Sequence, residues 1–135
     1  MANYKEAISK VLKHEGGYVN DPDDKGGETY KGISRKNWEV WSGWKIIDNS
    51  KSLANLPKCL YVNTLLNEYV VDFYKRNFWE PIGGDSIKDQ SIANMLMDAA
   101  VLEGIKPAVK RAQRIVGISQ TGIFSEELKN KLNSL

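Results

Sequence analysis

Helical hydrophobic periodicity runs along this chain and fails in one place, His14 to Ser34, and that failure most narrows what the chain can fold into. The stretch HEGGYVNDPDDKGGETYKGIS holds five glycines and five acidic residues, too much backbone freedom and charge for an amphipathic helix or a buried strand. Asn20-Asp21-Pro22 and Lys25-Gly26-Gly27 are turn formers, which leaves only short extended pieces, a hairpin, between them. Loops this long in a small domain are usually functional or disordered.

On the N-terminal side, Asn3 and Glu6 form a capping pair, and Tyr4, Ala7, Ile8, Val11 and Leu12 share one face, predicting a helix to about His14. Extending the stripe through 4, 8 and 11 reaches position 15. Glu15 is therefore expected on or beside the buried face, in the last turn, before Gly16 and Gly17 end the helix. Past the loop, Ser34 is placed to cap a short helix carrying Trp38 and Trp41. An irregular connection from Gly43 through Trp44 to Pro57 precedes the strongest period in the chain. There Val62, Leu65, Leu66, Tyr69, Val70, Phe73 and Tyr74 predict a central core helix that stops before Phe78, Trp79 and Pro81. A further helix over 89–103 carries Ile92, Leu96, Ala99 and Ala100 and closes at Gly104. Pro107 suits the first turn of the next, which ends at Gly117. Ser125, with Glu126 and Glu127 behind it, starts a last helix holding Leu128 and Leu132. The expected fold class is mainly α, with one short hairpin or irregular glycine-rich insertion near the N-terminus.

A chain of 135 residues suffices for one ordinary domain. It has no apolar run near the roughly 20 residues that span a bilayer, so no integral membrane segment is expected. Charges run through the first 14 residues, which argues against a secretory signal and for synthesis in the cytoplasm. One cysteine, Cys59, and one histidine, His14, make no cluster of metal-ligand spacing. The formal charge of +2, with cations thickest at Lys106, Lys110, Arg111 and Arg114, is too weak to argue for nucleic acid. His14-Glu15 begins like HExxH, but position 18 is tyrosine. Asp21, Asp23 and Gly26 begin like a calcium loop, but its last position, Gly32, lacks the bidentate glutamate. There is no GxGxxG, P-loop or GxSxG elbow. Neither a metal nor a cofactor is expected.

What remains is acid chemistry by carboxylates in different environments. Beside Val11 and Leu12, Glu15 would be desolvated and so suited to act as a general acid. Asp24, nine residues on in a polar loop, suits the ionised partner, and Thr29 could hold a water. Glu, Asp and Thr in that order can perform glycoside hydrolysis, and Trp38, Trp41, Trp44 and Trp79 are residues that stack on sugar rings. Spacing alone leaves the alternative open: a glutamate before two glycines also serves as a solvated residue entering a turn, and two of the tryptophans fall where core is an equal reading.

His14-Glu15-Gly16-Gly17-Tyr18, Asn20-Asp21-Pro22-Asp23-Asp24, Gly26-Gly27, Thr29 and Gly32-Ile33-Ser34 together resemble the signature of glycoside hydrolase family 108. These are N-acetylmuramidases of phages, prophages and bacteria, some named secretion activator protein, and similar to phage-type lysozymes. The run from Tyr74-Lys75-Arg76 to Trp79-Glu80-Pro81 resembles the end of the family's catalytic region. Ile92 through Asp98, Ala100-Val101, Gly104, Ala112-Gln113 and Thr121-Gly122 resemble the peptidoglycan-binding region that usually follows. The resemblance implies a lysozyme-like helical domain, with a muramidase-like catalytic region over 1–81 and a helical peptidoglycan-binding lobe over 82–135 packed on it as one unit. It implies Glu15 as the catalytic acid and Asp24, by spacing, as the second carboxylate. Thr29 falls one residue early, and Tyr30 takes the place expected for the threonine. Tyr18, Tyr30, Trp38, Trp79 and Asp98 are the candidate substrate-binding residues.

The activity so implied is that of an endolysin, cleaving the β-1,4 bond between N-acetylmuramic acid and N-acetylglucosamine in bacterial peptidoglycan. A holin or secretion machine would then release the protein to the periplasm or cell wall. The alternative is a wall-binding or secretion-accessory protein that holds glycan without cutting it.

Overall fold

The computed structural model describes residues 1–23 and 27–135, and four of its described α-helices begin at a side-chain cap. Helix α1 (Tyr4–His14) opens with Asn3 Oδ1 accepting the Lys5 amide at 2.7 Å and buries Ala7, Ile8 and Val11. Strands β1 (Tyr18–Val19), β2 (Thr29–Tyr30) and β3 (Ile33–Ser34) follow, forming one antiparallel sheet in chain order. Tyr18 pairs with Tyr30 and Val19 with Thr29, while Thr29 and Tyr30 pair on their other side with Ser34 and Ile33. The β2 to β3 turn is Lys31-Gly32, with φ of 47° and 82°. Positive φ at both central positions is the type I′ hairpin geometry, whose twist matches that of the strands.

This third strand corrects the expectation of a helix capped by Ser34. Pairing with β2 buries Ile33 beside Tyr30, both fully, and Trp38 and Trp41 fall instead among turns. A second correction is that the connection read as irregular folds as α2 (Gly43–Ser50), which buries Trp44 and Ile47, and α3 (Lys58–Tyr61), which buries Leu60. Helix α4 (Thr64–Tyr74) begins at Asn63, whose side chain accepts the Leu66 amide at 2.9 Å. It runs on into a π-helical turn, Lys75–Trp79, where the Glu80 amide reaches the Lys75 carbonyl at 2.9 Å. After a 3₁₀ turn (Gly84–Ser86) come α5 (Gln90–Glu103), α6 (Ile105–Val116) and α7 (Glu126–Asn133). The side chains of Asp89 and Ser125 cap α5 and α7, each accepting an amide at 3.1 Å. Among the described residues the fold is mainly helical with one small sheet, as expected. No helix among them is long and apolar enough to cross a membrane.

Packing divides the chain into two compact units, Met1–Val11 with Tyr74–Leu135, and Leu12–Phe73. In the first, α5 packs on α6 and α6 on α7. Ile82, Ile87, Met97, Val109 and Leu128 are fully buried there, each stabilising the fold by about 1.5–3 kcal/mol. Trp79 is fully buried too, its ring 5.5 Å from that of Tyr4 and its Nε1 donating to Asp85 at 2.8 Å. Gly84 lies so close to this indole that a Cβ would collide with it. Gln113, 1% exposed, donates to Thr121 Oγ1 and the Ile123 carbonyl and accepts the Gly122 amide at 3.0 Å.

The second unit is built on aromatic rings. The Tyr30 ring lies nearly parallel to those of Trp41 and Tyr61, with centroids 6.5 and 6.2 Å away. Trp41 meets Trp44 edge-on at 5.2 Å, and Trp38 meets Phe73 edge-on at 4.9 Å.

Candidate active site

The apolar face of α1 carries through Val11, 2% exposed, and the helix ends at His14. Glu15 thus stands one residue past the helix, half-buried, rather than within its last turn. Space around the next two glycines differs. Among the described residues no atom lies within 4 Å of where a Cβ at the exposed Gly16 would stand. One at Gly17 would collide with the Tyr61 hydroxyl. That hydroxyl oxygen accepts the Tyr18 amide at 3.0 Å, while the Gly17 carbonyl accepts the Lys31 amide at 3.0 Å. The segment following Glu15 is therefore held from α3 on one side and from the β2 to β3 turn on the other.

Glu28, just ahead of β2, is a nearly buried carboxylate in the same unit as Glu15 that the sequence reading missed. Its side chain is 9% exposed. It accepts the Tyr18 hydroxyl at 2.6 Å, Arg35 at 2.8 Å and Lys51 at 3.0 Å. Arg35 also grips Asp48 with two bonds of 2.7 Å and lies 5.3 Å from the centre of the Trp44 ring. Lys51 reaches Asp48 as well, at 3.0 Å. Burial pushes the Glu28 carboxyl up, but the bonds from Tyr18, Arg35 and Lys51 outweigh it and hold the group below its ordinary value. Bonds from Arg35 and Lys51 hold Asp48 well below the usual carboxylate range. The Tyr18 phenol is raised, first by burial and then by its bond to Glu28. Glu28 is thus an ionised clamp that ties β1 to the chain after β3 and to the end of α2. The one sequence signal available was Asp48 and Lys51 at helical spacing. Nothing local linked them to Glu28.

Asp24 lies outside the described residues. Thr29 sits half-buried on the central strand, and Tyr18 is half-buried on β1. Trp38 is half-buried in the same unit as Glu15. Two expectations need correcting on burial. Tyr30 is fully buried beside Trp41 and Tyr61, and burial, with Tyr61 next, pushes its phenol up to about 12. Trp79 is fully buried in the other unit. Neither ring presents a face to a glycan, because an aromatic residue type signals core as readily as stacking and only burial separates the two. Asp98 is exposed on α5, also in the other unit.

Between α5, α6 and α7 lies a hollow of about 210 Å³, lined by Ile92, Met95, Ala99, Ala112, Ile115 and other apolar residues with Arg111. Among the described residues no Asp or Glu side chain lines it. Among the described residues no group of three or more His, Cys, Asp or Glu is placed to hold a metal ion.

Comparison with protein families gives a class for this mainly helical chain, the glycosyl hydrolases. The chain belongs to the family described as Glycosyl hydrolase 108, whose model matches residues 8–104, a span that contains Glu15. The fold is similar to the one described as "Structure of Brucella abortus SagA", with a TM-score of 0.68 and 26% sequence identity. That similarity covers 98% of this chain and 69% of the other. No curated protein matches the chain.

Proposed function

We propose that this protein is a peptidoglycan hydrolase that cleaves the β-1,4 bond between N-acetylmuramic acid and N-acetylglucosamine, with Glu15 as the general acid. The observation that carries the reading is Glu15 itself, half-buried just past an apolar helix face and followed by the exposed Gly16, around whose missing side chain no described atom lies within 4 Å. A glycan laid over Gly16 brings its glycosidic oxygen to the Glu15 carboxyl, which protonates it as the bond to the anomeric carbon lengthens. The developing oxocarbenium charge then requires a second carboxylate, and in this reading Asp24 supplies it. Glu28 is not that group, since three donors already occupy its carboxylate. Peptidoglycan is the partner, and delivery to the wall through a holin or secretion machine belongs to the same reading.

The test is release of new reducing ends from purified peptidoglycan. We expect cleavage by the wild type and a loss of about 100-fold or more in a folded Glu15→Gln variant. Near-normal turnover by that variant would remove Glu15 from the chemistry. Asp24→Asn is expected to lower activity strongly in the same assay.

A further inference from the structure

Tyr61 sits on α3, far from the glycine-rich loop in sequence, yet its hydroxyl occupies the space over Gly17. Gly17 is two residues from Glu15, so the two Cα atoms are within roughly 8 Å. Tyr61 as a residue is 38% exposed, and its ring lies nearly parallel to the buried ring of Tyr30 at 6.2 Å. Its hydroxyl oxygen is fixed by the Tyr18 amide at 3.0 Å. Among the described residues the hydroxyl proton is donated to no protein acceptor. A phenol is both donor and acceptor, so this one is held by its acceptor half while its donor half is left for a ligand. Of the oxygens on an N-acetylated sugar, the acetamido carbonyl is the strongest neutral acceptor.

On the reading that the Glu15 site binds a glycan, we propose that Tyr61 is a substrate-contacting residue beside the general acid. Its ring is a platform for a sugar, and its hydroxyl donates to the acetamido carbonyl of that sugar. The close approach of Tyr61 to the backbone also gives Gly17 a specific task, because any side chain there would displace the phenol.

The experiment measures binding of N-acetylglucosamine tetrasaccharide and of its fully de-N-acetylated counterpart. It compares the Glu15→Gln protein, which does not turn over, with the same protein carrying Tyr61→Phe or Tyr61→Leu, and follows peptidoglycan cleavage by the variants with Glu15 intact. Tyr61→Phe is expected to weaken binding of the acetylated sugar about 2- to 10-fold and to leave the de-N-acetylated one unchanged. Tyr61→Leu, which also loses the platform, is expected to weaken both. A purely structural role in holding the Tyr18 amide would not distinguish the two sugars.

If the wild type cleaves peptidoglycan and both Tyr61 variants bind and cleave as it does, the assignment of Tyr61 is overturned while the hydrolase reading stands. Binding with the acetyl-dependent Tyr61 effect but no cleavage by the wild type would uphold Tyr61 and sink the hydrolase. No binding of either sugar and no cleavage would sink both. Should Tyr61→Leu fail to fold, the acetyl dependence of Tyr61→Phe decides the question alone.

Discussion

Each unit staples a loop with one nearly buried polar side chain, but the two staples differ in kind. In the unit holding Glu15, the staple is the Glu28 carboxylate, gripped by Tyr18, Arg35 and Lys51. In the other it is the Gln113 amide, which joins α6 to Thr121, Gly122 and Ile123 with neutral bonds. Both arrangements satisfy groups that would otherwise be costly to bury. Only the first can titrate. The lesson is that the loop staple in the Glu15 unit is tied to pH and salt through a nearly buried carboxylate, while the Gln113 staple of the other unit is neutral.

The largest effect should come from the packed side. Trp79→Ala removes a fully buried indole and its bond to Asp85, and is expected to destabilise that unit by about 3–5 kcal/mol in urea unfolding. A loss below about 1 kcal/mol would mean the indole is not the centre of that core.

Next come the staples themselves. Glu28→Gln and Gln113→Ala are each expected to cost about 1–3 kcal/mol, since each strands hydrogen-bonding groups left behind. They should part on pH: the Gln113→Ala loss is expected to be the same at pH 7 and pH 4, and the Glu28→Gln loss smaller at pH 4. Equal pH behaviour would erase the distinction drawn between the two units.

A smaller effect is the acid response of the wild-type network. The native pKa values of Glu28 and Asp48 are depressed. Their stabilisation is therefore complete above the unfolded values of about 4.3 and 3.9 and is lost as pH falls through the native ones. Trp38, Trp41 and Trp44 lie in this unit and Trp79 in the other. In a Trp79→Phe protein, tryptophan fluorescence thus reports the Glu15 unit alone. Its urea midpoint should hold steady down to about pH 5 and fall below about pH 4, with a flatter curve when Glu28→Gln is added. Smallest of all, Lys129→Ala removes an exposed pair with Glu126 one turn away on α7, and should change stability by less than about 0.5 kcal/mol.

Much of this protein was legible without coordinates wherever the decisive interactions are local. Asn3 and Ser125 cap helices as read, Asp89 caps the helix it was read to begin, and Gly104 and Gly117 end helices at φ of 98° and 81°. A cap or a terminating glycine acts within one turn of chain, so its residues are neighbours in sequence. The loop motif around Glu15 was legible for the same reason, as a run of adjacent residues.

Tertiary structure decided what depends on partners far along the chain. Whether Ser34 caps a helix or pairs in a strand depended on β2 being there to bond with it. Whether Tyr30 and Trp79 face sugar or core depended on which rings and glycines close over them. Glu28 became a clamp only because Arg35 and Lys51 converge on it from 7 and 23 residues away, both of them also bound to Asp48. Tyr61 reached Gly17 across 44 residues. Local sequence thus determined where many helices start and stop and where a carboxyl follows the first helix, because those interactions close within one turn. Which residues surround that carboxyl was settled by folding, because charge pairing, ring stacking and the space over a glycine exist only once distant segments meet.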